Sequence, residues 1–155
     1  MRISGYSFIV MVATLFLFVY GNLAADDIEK QKLYMQFLSE EGYHPVIDDD
    51  GDVRFKSEGK TYYIFPNEND SAYFSLYYLN FWEIESINER RLALDAANVA
   101  TKKSKCAKVF LTTNETCAGV ELIFESPDDF VNVFSRAMQM LNHGVDVFVE
   151  EMQNE

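Results

Sequence analysis

Asp52-Val53-Arg54-Phe55-Lys56-Ser57-Glu58-Gly59-Lys60-Thr61-Tyr62-Tyr63-Ile64-Phe65 is the stretch that decides the fold. Val53 and Phe55 alternate with Arg54 and Lys56, the period of two that marks a strand with one apolar and one polar face. Glu58-Gly59 supplies a tight turn, and Lys60 to Phe65 reads as the returning strand of a hairpin. On the N-terminal side, Asp49-Asp50-Gly51 is a second turn and Tyr43 to Ile47 an earlier strand. On the other side, the loop Pro66-Asn67-Glu68-Asn69-Asp70 precedes a fourth strand, Ala72 to Leu79.

Helices flank this run. Leu33, Tyr34, Phe37 and Leu38 repeat at three-and-four spacing, and Gly42 stands where a left-handed cap belongs, so the first helix spans about 28–41. Ser86 with Glu89 forms a capping box opening a second helix, which ends near Lys102-Lys103, where positive charge suits the helix C-terminus. Lys105 to Thr112 and Cys117 to Glu125 read as two strands around Thr113-Asn114-Glu115-Thr116. Ser126-Pro127-Asp128-Asp129 then combines an N-cap, a first-turn proline and two acids. From Phe130 the apolar positions keep helical spacing through Met152 and across Gly144, which predicts one long helix. The fold class is therefore α+β: an antiparallel sheet flanked by helices in the order α-β-β-β-β-α-β-β-α.

Composition narrows the function. The chain has 155 residues, 13 Lys+Arg and 25 Asp+Glu, a net charge of −12. Such a balance opposes contact with nucleic acid or anionic lipid, both of which need a basic surface to replace counterions. Met1 and Arg2, the 13-residue uncharged run Phe8 to Tyr20 and the small residues before Asp26-Asp27 form a Sec signal-peptide pattern over residues 1–25. The apolar run is shorter than the ~20 residues of a membrane span, so cleavage would leave no membrane span. Residues 26–155 then form one domain, exported to a periplasm or secreted, and no linker or repeat divides it.

The runs Phe37-Leu38-Ser39-Glu40-Glu41-Gly42-Tyr43 and Asp50-Gly51-Asp52-Val53-Arg54-Phe55-Lys56 resemble the YbjN-like family. So does Asp95-Ala96-Ala97-Asn98 with the later Ala107-Lys108-Val109. Members of that family are described as bacterial sensory transduction regulators with a fold similar to type III secretion chaperones. The resemblance covers most of residues 28–152. It implies an α+β domain, often paired through a helix and used to hold another protein, and it brings no catalytic residues with it. Type III chaperones act in the cytoplasm, so the leader is a departure from that role.

Chemistry-bearing motifs are absent. Placing Gly51 at the sixth position of a calcium loop puts Val46 first and Ser57 twelfth, where acids are required, so Asp48, Asp49, Asp50 and Asp52 read as a solvated turn. His44 and His143 lack metal-ligand spacing. No nucleophile elbow or phosphate loop occurs, so no catalytic, cofactor or metal residues are assigned. Asn69-Asp70-Ser71 and Asn114-Glu115-Thr116 fit the glycosylation pattern by chance. With the hairpin centred between Asn114 and Glu115, Cys117 lies opposite Thr112 and Cys106 opposite Ile123. That is about 20 Å apart, so both are expected to be unbridged, buried thiols.

The unusual feature is aromatic. Nine aromatic residues fall between Tyr62 and Trp82. Period two puts Tyr63 and Phe65 on one face and Tyr62 and Ile64 on the other. It likewise separates Tyr73 and Tyr77 from Phe74, Leu76 and Tyr78. One face is core; the other is either covered by a remaining helix or left open as a tyrosine-rich platform. Tyr63, Phe65, Tyr73, Tyr77 and Trp82 are the candidate partner surface. The expected function is an exported, non-catalytic protein-binding or chaperone-like module whose partner is a polypeptide or a second copy. The alternative is a small-ligand carrier or enzyme whose site the fold assembles.

Overall fold

The structure, a computed structural model, describes residues 27–66, 70, 72–113 and 115–154. The expected leader and the two asparagines of the glycosylation patterns lie outside them. Helix α1 (27–40) is followed by β1 (Val46–Ile47), β2 (Val53–Ser57), β3 (Lys60–Ile64) and β4 (Tyr73–Glu83). Then come α2 (Ile87–Lys103), β5 (Ala107–Leu111), β6 (Glu115–Ile123), a short 3-10 turn Pro127–Asp129 and α3 (Phe130–Gln153). The six strands form one antiparallel sheet in the order β1-β2-β3-β4-β6-β5, so the α+β reading and its element order hold.

Helix ends follow local chemistry. Gly42 takes φ 85°, with its N–H donating to Ser39 O (3.1 Å) and that of Tyr43 to Leu38 O (2.9 Å), the paired bonds of a left-handed C-cap. Ser86 Oγ accepts from Glu89 N at 3.1 Å, and the Glu89 carboxylate also accepts from Glu85 N (2.7 Å) and the Trp82 indole (2.9 Å). α3 runs unbroken across Gly144, where an added Cβ would lie 3.2 Å from Ser104 Oγ. The glycine lets α3 approach Ser104 and β5, and Ala93, Ala96, Ala97 and Ala100 are the buried residues of α2. Lys30, one turn before Tyr34 on the α1 stripe, is also buried. Its ammonium donates to Asp70 O (3.1 Å) and pairs with Asp27 (3.8 Å), tying α1 to the segment that enters β4.

Four expectations change. The strand placed at Tyr43 to Ile47 shrinks to two residues, because His44 adopts φ 52° and Pro45 has no N–H for a ladder. β4 runs on past Leu79 to Glu83 through a bulge at Asn80 (φ 53°), where four residues of β4 from Tyr78 to Trp82 advance while β6 advances two. The β5–β6 hairpin also pairs differently, with Leu111 facing Thr116 and Phe110 facing Cys117. The two cysteines are free thiols, as expected, but only Cys117 is buried and Cys106 is exposed. Cys106 ends up outside the core because it precedes β5.

One row of side chains shows where the core sits. Val53, Ile64, Leu76, Val120 and Ala107 are successive cross-strand partners over β2, β3, β4, β6 and β5, and every one is buried. Against that face pack Tyr34 and Leu38 of α1, the alanines of α2, and Phe130, Phe134, Leu141, Val145 and Phe148 of α3. Burying side chains of this size contributes about 1.5–3 kcal/mol each before conformational entropy is set against it. All three helices therefore lie on a single side of the sheet.

Candidate functional site

Among the described residues, no helix packs on the other side of the sheet. Its matching row is Arg54, Tyr63, Tyr77, Gly119 and Lys108, again across β2, β3, β4, β6 and β5. The covering helix that the sequence left open as one arrangement is not found among the described residues. Tyr63, Phe65, Tyr73 and Tyr77 come together on this face and are each half-buried. Phe65 lies 6.4 Å from Tyr63 and 5.2 Å from Tyr77 between ring centroids, and Phe110 meets Tyr77 edge-on at 6.3 Å. Ile123, opposite Tyr73, is 79% exposed.

Trp82 does not belong with them. The bulge at Asn80 turns it toward the helices, where its ring packs 5.9 Å from Phe148 and its indole N–H donates to Glu89. Strict alternation from Tyr77 cannot anticipate this, because it assumes an unbroken ladder. Thr116, its cross-strand partner, is buried and donates its hydroxyl to Trp82 O at 3.0 Å.

A small polar network anchors the open face. Tyr77 OH and Lys108 Nζ both donate to Glu121 Oε1, and Tyr73 adds a further hydrogen bond to that carboxylate. Burial pushes the Glu121 carboxyl up, but the bonds from Lys108, Tyr77 and Tyr73 outweigh it and hold the group below the usual carboxylate range. Burial and the adjacent carboxylate keep the Tyr77 hydroxyl protonated well above the ordinary phenol range. Lys108 also lies 5.7 Å from the Tyr77 ring and 5.4 Å from Phe110, within cation–π reach. Gly119 makes room for this arrangement: a Cβ there would collide with Tyr77 Cε1, so the ring lies directly over the glycine. Ser75, buried on the same side opposite Glu121, has a hydroxyl with no partner among the described residues.

Lys108, Phe110, Gly119 and Glu121 were missed in the sequence. The signal was present, since Lys108 and Phe110 alternate with Ala107 and Val109, and Gly119 and Glu121 alternate with Ala118, Val120 and Leu122.

A second concavity lies on the helix side. A cleft of about 650 Å³ opens between the β2–β3 turn and α3, lined by Tyr43, Lys60, Asn142, His143 and Asp146 among others. Lys60 Nζ (2.9 Å) and Tyr62 OH (2.8 Å) both donate to Asn142 Oδ1, and Asn142 Nδ2 donates to Met138 O. Those groups are thus engaged with one another. Asp48 Oδ1 accepts from Asp50 N and Asp52 N, and Gly51 takes φ 91°, so the aspartate run is built as a turn. Among the described residues no group of three or more His, Cys, Asp and Glu is placed to hold a metal, and no helix is long and apolar enough to cross a membrane.

No family model matches this sequence, and no curated protein matches it. Among solved structures, YbjN from E. coli, described as a proposed transcription regulator, superposes with a TM-score of 0.54. The match covers 76% of this chain and 87% of YbjN at 13% identity. The fold is YbjN-like. At that identity the likeness extends to the arrangement of sheet and helices. The open-face residues rest on this chain's own geometry.

Proposed function

We propose that this chain is an exported, non-catalytic binding module of a bacterial cell envelope, holding a polypeptide partner or a second copy against the open face of its sheet. One observation carries the reading: a half-buried row of tyrosines and phenylalanines, braced by Lys108 and Glu121, lies on a sheet face that no helix covers among the described residues. Aromatic residues with polar tips tolerate both water and a partner, which is why they are enriched at the centres of interfaces. The charged-start, apolar-run pattern of residues 1–25 supports export. A regulatory role of the kind ascribed to YbjN would run here through a protein partner, because a net charge of −12 opposes direct contact with DNA.

The alternative, a small-ligand carrier or enzyme, draws on the cleft beside Asn142. The two readings separate by photo-crosslinking in the host, with a benzophenone amino acid replacing Tyr63 in one strain and Ile87, 89% exposed on α2, in another. A discrete protein adduct from position 63 alone is expected. Equal adducts at both positions, or none at 63, would sink the open-face reading.

A further inference from the structure

We infer, building on the open-face reading, that the partner is an acidic polypeptide segment lying across the strands of this face. Charge on the sheet is distributed against the charge of the molecule. The chain as a whole carries 25 acids against 13 bases. On the open side of β2 to β6, short of the bulge, the charged residues are Arg54, Lys56, Lys108 and Glu121. Three are cations, and the one carboxylate is occupied by Lys108 and two tyrosine hydroxyls. Glu83 and Glu115, paired with each other, lie beyond the bulge at the far end of β4 and β6.

The cations also have a geometry. Arg54 and Lys108 close the two ends of the row Arg54-Tyr63-Tyr77-Gly119-Lys108, four strand spacings or roughly 19 Å apart at ~4.8 Å each. Between them lie the rings of Tyr63 and Tyr77, the latter seated over Gly119. An extended chain rising ~3.3 Å per residue spans that distance in about six residues. A segment with carboxylates about six positions apart and apolar or aromatic residues between them would meet a cation at each end and rings in the middle. Net of Glu121, the two positive charges left on this face suit two carboxylates, with Lys108 shared between Glu121 and the segment. They fall far short of the phosphate density of nucleic acid, which carries a charge every ~1.7 Å along the duplex.

The test uses the full protein and three probes of equal length: random copolypeptides of Glu and Tyr, of Ser and Tyr, and of Lys and Tyr. Binding is followed by amide chemical shifts, and the oligomeric state by sedimentation. The Glu–Tyr polymer is expected to move the resonances of Tyr63, Tyr77, Gly119 and Lys108, at least about tenfold more tightly than the Ser–Tyr polymer and less tightly as salt rises. The Lys–Tyr polymer is expected to act elsewhere, on the acidic remainder. Arg54→Glu with Lys56→Glu, two exposed positions whose exchange should leave the thermal transition unchanged, should weaken Glu–Tyr binding about tenfold and leave Ser–Tyr binding as it was.

If the Ser–Tyr polymer binds this face as tightly as the Glu–Tyr polymer, the acidic partner is wrong and the open-face reading stands. A stable dimer with the face protected likewise overturns the acidic segment in favour of a second copy. If the protein is monomeric and no polymer moves these resonances, both readings fall.

Discussion

Two rows cross the same five strands. Val53-Ile64-Leu76-Val120-Ala107 faces the helices, and Arg54-Tyr63-Tyr77-Gly119-Lys108 faces away. The first is aliphatic and sealed; the second is aromatic and half-buried at Tyr63 and Tyr77 and charged at both ends, with Arg54 exposed. They are adjacent residues in every strand, so what separates them is the pleat alone. One face is packed by the three helices, and no helix lies on the other among the described residues. The second is the face that we propose takes a partner.

The comparison breaks most readily by truncation. Phe55→Ala and Phe134→Ala on the packed side should each destabilise by about 3–5 kcal/mol, read by denaturant unfolding. Tyr63→Ala, one residue from the core partner of Phe55, is expected to fall below about 1 kcal/mol. Comparable losses from the two faces would mean that the open face is packed as a core.

Gly119→Ala tests the seating of the Tyr77 ring. The new methyl must displace the Tyr77 ring, so a loss of about 1–3 kcal/mol is expected, with a changed near-UV signal from the tyrosines. A neutral result would mean that the ring does not sit over Gly119.

A smaller effect comes from Glu121→Gln, expected at about 1 kcal/mol near neutral pH. Its sign with pH follows from the carboxyl being held below its ordinary value in the folded protein. The stabilisation is present above the unfolded value of about 4.5 and is lost as pH falls through the lower folded one. The difference between wild type and variant should therefore shrink on acidification. A difference constant down to strong acid would contradict the network.

The least perturbing probe is thiol chemistry. One thiol, Cys106, should react promptly with a soluble disulfide reagent. Cys117 lies opposite Phe110, and its thiol is pushed up by burial, so it should react only on unfolding. Two fast thiols would mean that the small residues of the open face are less covered than Phe110 implies.

Much of this was legible in the sequence. The Val53-Arg54-Phe55-Lys56 alternation, the glycine turns and the caps at Gly42, Ser86 and Ser126 gave element order and most boundaries, because each is a local preference. Tyr62 and Tyr63 could be assigned to opposite faces but not to core or surface, since the residues are identical and only the docking of the helices distinguishes them. The bulge at Asn80 was not legible, and it removed Trp82 from the candidate surface. The Glu121 network was hidden for a related reason: it needs the β4–β6 register, which the sequence order of the strands does not give.

The most direct test of the two-faced sheet is tyrosine accessibility in solution. With 19F-labelled tyrosine and a soluble paramagnetic agent, the signals of Tyr63, Tyr73 and Tyr77 should broaden, while those of Tyr34 and Tyr62, each 1% exposed, should stay sharp. Equal protection of all five would mean that the second face is covered in the free protein, and the open platform would be contradicted.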